Sequence, residues 1–380
     1  MQISRREVPS TRSAVIILGV LLLLLPAAIL AAYVLPSPAA IVVPVPVEPV
    51  DSLIRIEGTA YESQGGLYLT AVHVASEPRL GQYLLAQLQP NVQVVPKGEV
   101  VPPSLTREEF QRLSQRLLLE SQTIAQIVAL RKAGYDVKAG DSEVEVVSTV
   151  PGTPAAAQLL PGDVIESVNG QDVATTAEVV SIANAHLTGE SVTLRVRRHY
   201  RTMTVAIPTL RGPVDTEGPV LGLVLMTTGL DFRAPISIKM EAGHIVGGPS
   251  AGLMYALGVY NALSTEDLTR GRRIAGTGTL RLDGTVGPVG AVRLKVRAAE
   301  EAGVEYFLVP AEDAAAARAA ARQMQIIPVH SFEEALAALR QIGTDTGRSP
   351  RIVPAGGDTI LAGLVSQAPG YLPSRSTTRV

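Results

Sequence analysis

The strongest pattern in the chain is an unbroken apolar run. Positions 14–35, AVIILGVLLLLLPAAILAAYVL, carry no charge and follow Arg5, Arg6 and Arg12. About 22 apolar residues make a helix of roughly 33 Å, enough for a hydrocarbon core of about 30 Å. The run predicts a single transmembrane helix over 13–35. Basic residues on its short leading flank put residues 1–12 in the cytoplasm and the bulk of the chain outside the cytoplasmic membrane. A cleaved signal peptide is the alternative, since AILAAYV offers small residues. The run is longer than the usual signal core of about 7–15 residues, which favours an uncleaved anchor. PSPAAIVVPVPVEPV comes next, and its repeated prolines predict an extended spacer over 36–50.

The remaining patterns alternate between strand and helix periods. Residues 51–133 read as a β/α segment that packs onto the unit beginning near 215. In it, RIEGTAYESQGGLYLTAVHV suggests a hairpin around Gly65-Gly66, and TREEFQRLSQRLLLESQTIAQIVALRKAG suggests a long amphipathic helix. Thr106 with Glu109 three residues on is its start signal, and Gly134 marks its end. From 134 to 210, EVEVVSTVPGTPAAAQLLPGDVIESVNGQDV alternates as strands do, with turns at Pro151-Gly152, Pro161-Gly162 and Asn169-Gly170. From 215 to 342, strand-like PVLGLVLMTT, PISIKM, YFLVP and QIIPV interleave with helical PSAGLMYALGVYNAL, GAVRLKVRAAEEAG and SFEEALAALRQIG. The fold class is therefore α+β and multidomain, with a layered α/β third unit. Residues 343–380 are rich in Pro, Gly, Ser and Thr and read as a disordered tail.

Composition narrows the chemistry. In 380 residues the formal charge is −2, so no basic surplus points to nucleic acid. There is no cysteine, which excludes disulfides, thiolate metal sites and cysteine catalysis. Neither GxxxxGK[ST] nor HExxH occurs, and no metal or cofactor is implied. A nucleophile would have to be an oxygen or an amine.

IVGGPSAGLMYALGVYNAL sets Ser250 among small residues where an apolar helical pattern begins. Proline suits a first helical turn, so Pro249 is expected to start the helix and Ser250 to lie in its first turn. Unpartnered amides there could hold a developing oxyanion, although a helix-capping serine is the commoner meaning of such a motif. Of His73, His186, His199, His244 and His330, only His244 is near in sequence. Lys295 is the other candidate base. In GAVRLKVRAAEEAG it projects from an apolar arc that includes Val292, Leu294, Val296 and Ala299, opposite Arg293, Arg297, Glu300 and Glu301. Burial lowers a lysine pKa, and a neutral amine can take a serine proton. The alternatives are a lysine that snorkels to water, or one paired with an acid such as Asp283 or Glu241 at an interface.

Two resemblances sharpen these readings. TPAAAQLLPGDVIESVNGQDV resembles the PDZ domains of bacterial protease-associated proteins over roughly 75 residues. That resemblance implies a β-rich domain that binds peptides along a sheet edge, with Gly134, Tyr135, Asp136 and Val137 as the carboxylate-binding loop. GGPSAG, followed by GTGTLRLDGTVGPVGAVRLKVRAAEEAGVEYFLVPAED, resembles the proteolytic domain of Lon-type proteases over about 100 residues. It implies Ser250 as nucleophile, Lys295 as general base and Thr277 as support for the lysine, with Gly248, Pro249 and Ala251 in supporting or oxyanion positions. Here Gly247 stands where the family commonly has an acidic residue, and Thr279 where glutamate is frequent. The whole resembles membrane-anchored, PDZ-containing Lon-like serine proteases, whose implied partners are peptides or unfolded proteins, the membrane, and copies of the same chain in a ring. A catalytically inactive PDZ scaffold that holds peptides is the alternative.

Overall fold

The computed structural model describes residues 11–89, 91–100, 104–212, 219–243, 248–342 and 350–353. Residues 1–10 of the expected cytoplasmic N-terminus, most of the tail, His244 and Gly247 lie outside the described residues.

The apolar run forms the helix Thr11–Val34, with Pro26 inside it and Leu22 to Leu25, Ile29 and Leu30 exposed. Among the described residues no helix is long and apolar enough to cross a membrane. The expected transmembrane helix over 13–35 is therefore not found among the described residues. The last turn of Thr11–Val34 rests on protein. A side chain at Gly81 would meet the Ala32 carbonyl oxygen at 3.1 Å, and the Leu80 amide donates to the Leu35 carbonyl at 2.9 Å.

The expected spacer is partly a strand. Ala39–Pro44 runs antiparallel between Val72–Ala75 and Gln93–Pro96, with Ala40, Ile41 and Val42 buried. The β-branched stretch before Pro44 suits a sheet, and proline interrupts the ladder only at its end.

The central sheet has the order Glu48–Pro49, Gly66–Leu69, Arg273–Gly276, Tyr306–Pro310, Gln325–Val329, and its last four strands are mutually parallel. Gly65-Gly66 does not close a hairpin. Gly58–Tyr61 pairs instead with Pro350–Val353, a strand inside the stretch expected to be a disordered tail. Gly66–Leu69 leaves in the other direction to pair with Arg273–Gly276. The glycine at 65 is needed for close approach, since a Cβ there would lie 2.2 Å from the Arg272 carbonyl oxygen.

Two helices cross beside this sheet. Arg107–Lys132, the long helix, starts with the expected Thr106/Glu109 capping box. Gly252–Leu263, the serine helix, is buried on every side except at Leu263. One apolar cluster joins Val50, Ile54 and Leu67 to Ile124, Val128, Leu253 and Phe332. Segment 51–133 and the third unit thus share a core and fold together.

The second unit has a core of its own around Val144, Ile165, Val179, Leu194 and Val196. Its sheet runs Arg201–Pro208, Ser191–Arg198, Val164–Val168, Glu143–Thr149, Leu223–Thr228. The last of these, the edge strand, lies beyond the expected boundary at 210 and is bonded along Glu143–Thr149. Thr176–Asn184, the groove helix, is capped by Thr175 with Glu178 and packs against the edge strand. Asn169 and Gly170 both have positive φ, 49° and 80°, as an Asn-Gly hairpin turn requires.

Candidate active site

The serine turn is held from the long helix at two points. The Gly248 amide, in a left-handed residue (φ 97°), donates to the Ser114 carbonyl at 2.9 Å, and the Ser121 hydroxyl donates to the Pro249 carbonyl at 3.1 Å. The serine helix begins at Gly252, with Ala251 at its N-cap, so Ser250 lies in the turn ahead of the helix and not in its first turn. Packing sets that boundary: a Cβ at Gly252 would sit 2.9 Å from Ser121 Oγ and 3.1 Å from Leu280 Cβ. The Gly252 and Leu253 amides are taken by the Pro249 and Gly278 carbonyls, at 3.3 and 3.1 Å. Ser250 itself is half-buried.

Lys295 arrives from the helix Val292–Glu301, which Ala291 launches from a left-handed backbone conformation (φ 56°). Between Leu294 and Val296 it is only 2% exposed, so it does not snorkel. Its ammonium donates to Thr277 Oγ1 at 3.1 Å, and that hydroxyl donates to the Ser250 carbonyl at 3.1 Å. The Gly278 amide donates to the same carbonyl at 2.9 Å. Thr277, wholly buried, follows the strand Arg273–Gly276, and its amide donates to the Leu308 carbonyl at 3.0 Å. The sheet therefore fixes the one side chain on which lysine and serine converge.

Burial pushes the Lys295 amine down to about 8, and the Asp313 carboxylate partly opposes the fall. The acids expected as rival partners for this lysine are engaged elsewhere. Glu241 pairs with Arg55 at 2.9 Å, and Asp283 lies 3.7 Å from Arg281. His330 bonds Glu334 and His186 bonds the Ile182 carbonyl.

Beside the serine turn opens a cavity of about 620 Å³. Pro249, Leu280 and Val286 line one end, Leu117 and Ile124 the side, and Val180 of the groove helix the far wall. Glu120, from the long helix, also lines the cavity and accepts hydroxyl bonds from Thr176, at 3.2 Å, and from Thr227. Burial raises its pKa, and those hydroxyls restrain the rise. Gly134, Tyr135, Asp136 and Val137 are not among the lining residues of this space. Gly134 (φ 88°) terminates the long helix, the Tyr135 amide caps it on the Leu130 carbonyl, and Val137 packs with Ile127 and Leu130.

Residues 232–341 match the Lon protease (S16) C-terminal proteolytic domain. Residues 130–209 match a PDZ domain. Lon protease 2 of Bacillus subtilis is 33% identical over 116 residues, 30% of this chain and 20% of that protein. An archaeal Lon protease of Methanothermobacter thermautotrophicus is 34% identical over 122 residues, 31% of this chain and 19% of its own. The chain thus spans a fifth or less of the curated relatives it matches. The solved PDZ domain of an SdrC-like protein from Listeria monocytogenes is 23% identical, covering 22% of this chain and 85% of that one, with a TM-score of 0.20. The proteolytic-domain match and the Lon protease relatives support a protease.

Two residues at the site escaped the sequence reading. Ser121 was detectable as a polar position on the buried stripe of the long helix. Asp313 follows Glu312 just after the buried strand YFLVP, and nothing local singles it out from that neighbouring acid.

Proposed function

We propose that the chain is a serine endopeptidase that hydrolyses peptide bonds with Ser250 and Lys295, without recourse to ATP. In this reading the Ser250 hydroxyl attacks the scissile carbonyl, Lys295 as the neutral amine accepts its proton and later returns it to the leaving amine, and water then releases the acyl group. The amides of Ser250 and Ala251 hold the oxyanion, since those of Gly252 and Leu253 already have carbonyl partners. What carries the reading is one linkage. A buried amine with a depressed pKa and the backbone of a half-buried serine meet on the Thr277 hydroxyl.

Substrates in this account are flexible segments or unfolded proteins, laid along the apolar cavity between the serine turn and the groove helix. The helix Thr11–Val34, with its exposed leucines and the charge-free run through Leu35, holds the enzyme at the outer face of the cytoplasmic membrane. The test is degradation of casein by the full chain in detergent. Ser250→Ala and Lys295→Ala are each expected to abolish cleavage while circular dichroism stays unchanged. Full activity in either folded variant refutes the assignment.

A further inference from the structure

The first helix, Thr11–Val34, is bare on every side over part of its length. All residues from Leu22 to Leu30 are exposed, nine in a row, and at about 100° per residue such a run points in every direction round the axis. A partner protein or a second copy of the chain covers one face of a helix, whereas lipid covers all of them at once.

The bare apolar surface does not stop where this helix ends. Val34 and Leu35 are exposed, and so are Leu84, Leu85 and Leu88 on the short helix Leu80–Ala86 and just beyond it, Leu88 at 81%. The two helices are locked together. Gly81 lies against Ala32, the Leu80 amide donates to the Leu35 carbonyl, and the Arg79 guanidinium donates to the Val34 carbonyl at 3.0 Å. That cation also suits the negative end of the helix dipole. From Leu80 to Pro96 the sequence carries no charge, so no ionised group on the short helix resists a low-dielectric medium. Nor is there slack toward the body. Residues 35–38 alone separate the first helix from the strand Ala39–Pro44, and within them the Ser37 amide donates to the Pro78 carbonyl at 2.9 Å. Ala40 and Val42 of that strand pack with Val95 and with Leu294, the neighbour of Lys295.

We propose that the helix Leu80–Ala86, with Leu88 after it, is a second membrane contact, seated at the boundary of headgroups and acyl chains about 5–10 Å deep. The proposal rests on the membrane attachment of Thr11–Val34 read above, and adds that the body lies against the lipid instead of hanging from a flexible tether. Continuity names the occupant: the leucines of the short helix extend a surface that is bare all the way round. The strand Ala39–Pro44 then carries the attachment to the helix that bears Lys295, so the proteolytic domain stands at a fixed height above the bilayer.

The chain has no tryptophan, so a single introduced one reports its own surroundings. The full chain carrying Leu88→Trp, Tyr33→Trp or Tyr200→Trp is reconstituted in phosphatidylcholine vesicles, either plain or brominated on the acyl chains near the headgroups. All three positions are exposed, so the substitutions disturb no packing. Bromine quenches only at close approach. Leu88→Trp and Tyr33→Trp are each expected to lose about half of their emission or more, as side chains at that depth should. Tyr200→Trp, out on the hairpin between Ser191–Arg198 and Arg201–Pro208, is expected to keep its emission. Quenching of Tyr33→Trp without Leu88→Trp overturns the second contact and leaves the first helix in the membrane. Quenching of neither removes the membrane reading, and the proposal with it. A Leu88→Trp emission that is blue-shifted yet unquenched means that protein, such as a second copy, covers this face; that too overturns the proposal, as does equal quenching of Tyr200→Trp.

Discussion

Lowering the pH from about 9 to about 7 should slow cleavage roughly tenfold through Lys295 alone. The amine acts as a base only when neutral, and burial brings its pKa down to about 8. About 90% of it is then neutral at pH 9 and about 9% at pH 7, whereas an ordinary lysine near 10.5 would be about 0.03% neutral at pH 7. Burial thus multiplies the reactive form at pH 7 by roughly 300, at the expense of some intrinsic basicity. The sign is fixed by the group: the rate rises with pH through the folded-state pKa and levels off above it. The assay is the initial rate of casein cleavage at substrate concentrations well below KM, in buffers of constant ionic strength, with circular dichroism confirming the fold at each pH. A midpoint near 10.5 would mean the amine is not desolvated during turnover. One near 6.5 would point to a histidine, and either result refutes the reasoning.

Three further outcomes derive from the same geometry. Lys295→Met should be inactive yet more stable at pH 7, by about 3 kcal/mol, because below about pH 8 the native state holds a buried ammonium. That advantage should fade between about pH 8 and 10.5, where the native chain has released a proton that the unfolded chain still binds; thermal melts at both ends of the window check it. Thr277→Val removes the hydroxyl shared by Lys295 and the Ser250 carbonyl, so kcat should fall about 10–100-fold with little change in KM, while Thr277→Ser keeps most activity; equal rates for the two variants would argue against the linkage. Gly252→Ala places a methyl 2.9 Å from Ser121 Oγ and should cost about 1–3 kcal/mol in denaturant melts and lower kcat, an effect absent if the serine turn is free to move off the long helix.

The serine and lysine were legible because local patterns carry them: glycines and proline around a hydroxyl, and a cation at the centre of an apolar helical arc. The long helix was equally readable from its capping box and period. What escaped depends on partners distant in the chain. Gly65 reads as a turn residue, but its smallness serves contact with Arg272, some 200 positions away. Leu223–Thr228 reads as the start of the third unit, yet its hydrogen bonds go to Glu143–Thr149. Ser121 sits between Glu120 and Gln122, and Asp313 follows Glu312, so only the assembled fold reveals which of these polar residues holds the site.

Side-chain NMR titration of Lys295 in the folded full chain carrying Ser250→Ala tests the central claim most directly, because it reads the proton on the proposed base without turnover. A midpoint about two units or more below that of an exposed lysine is the result this account predicts. A resonance that remains that of an ammonium until about pH 10 contradicts it.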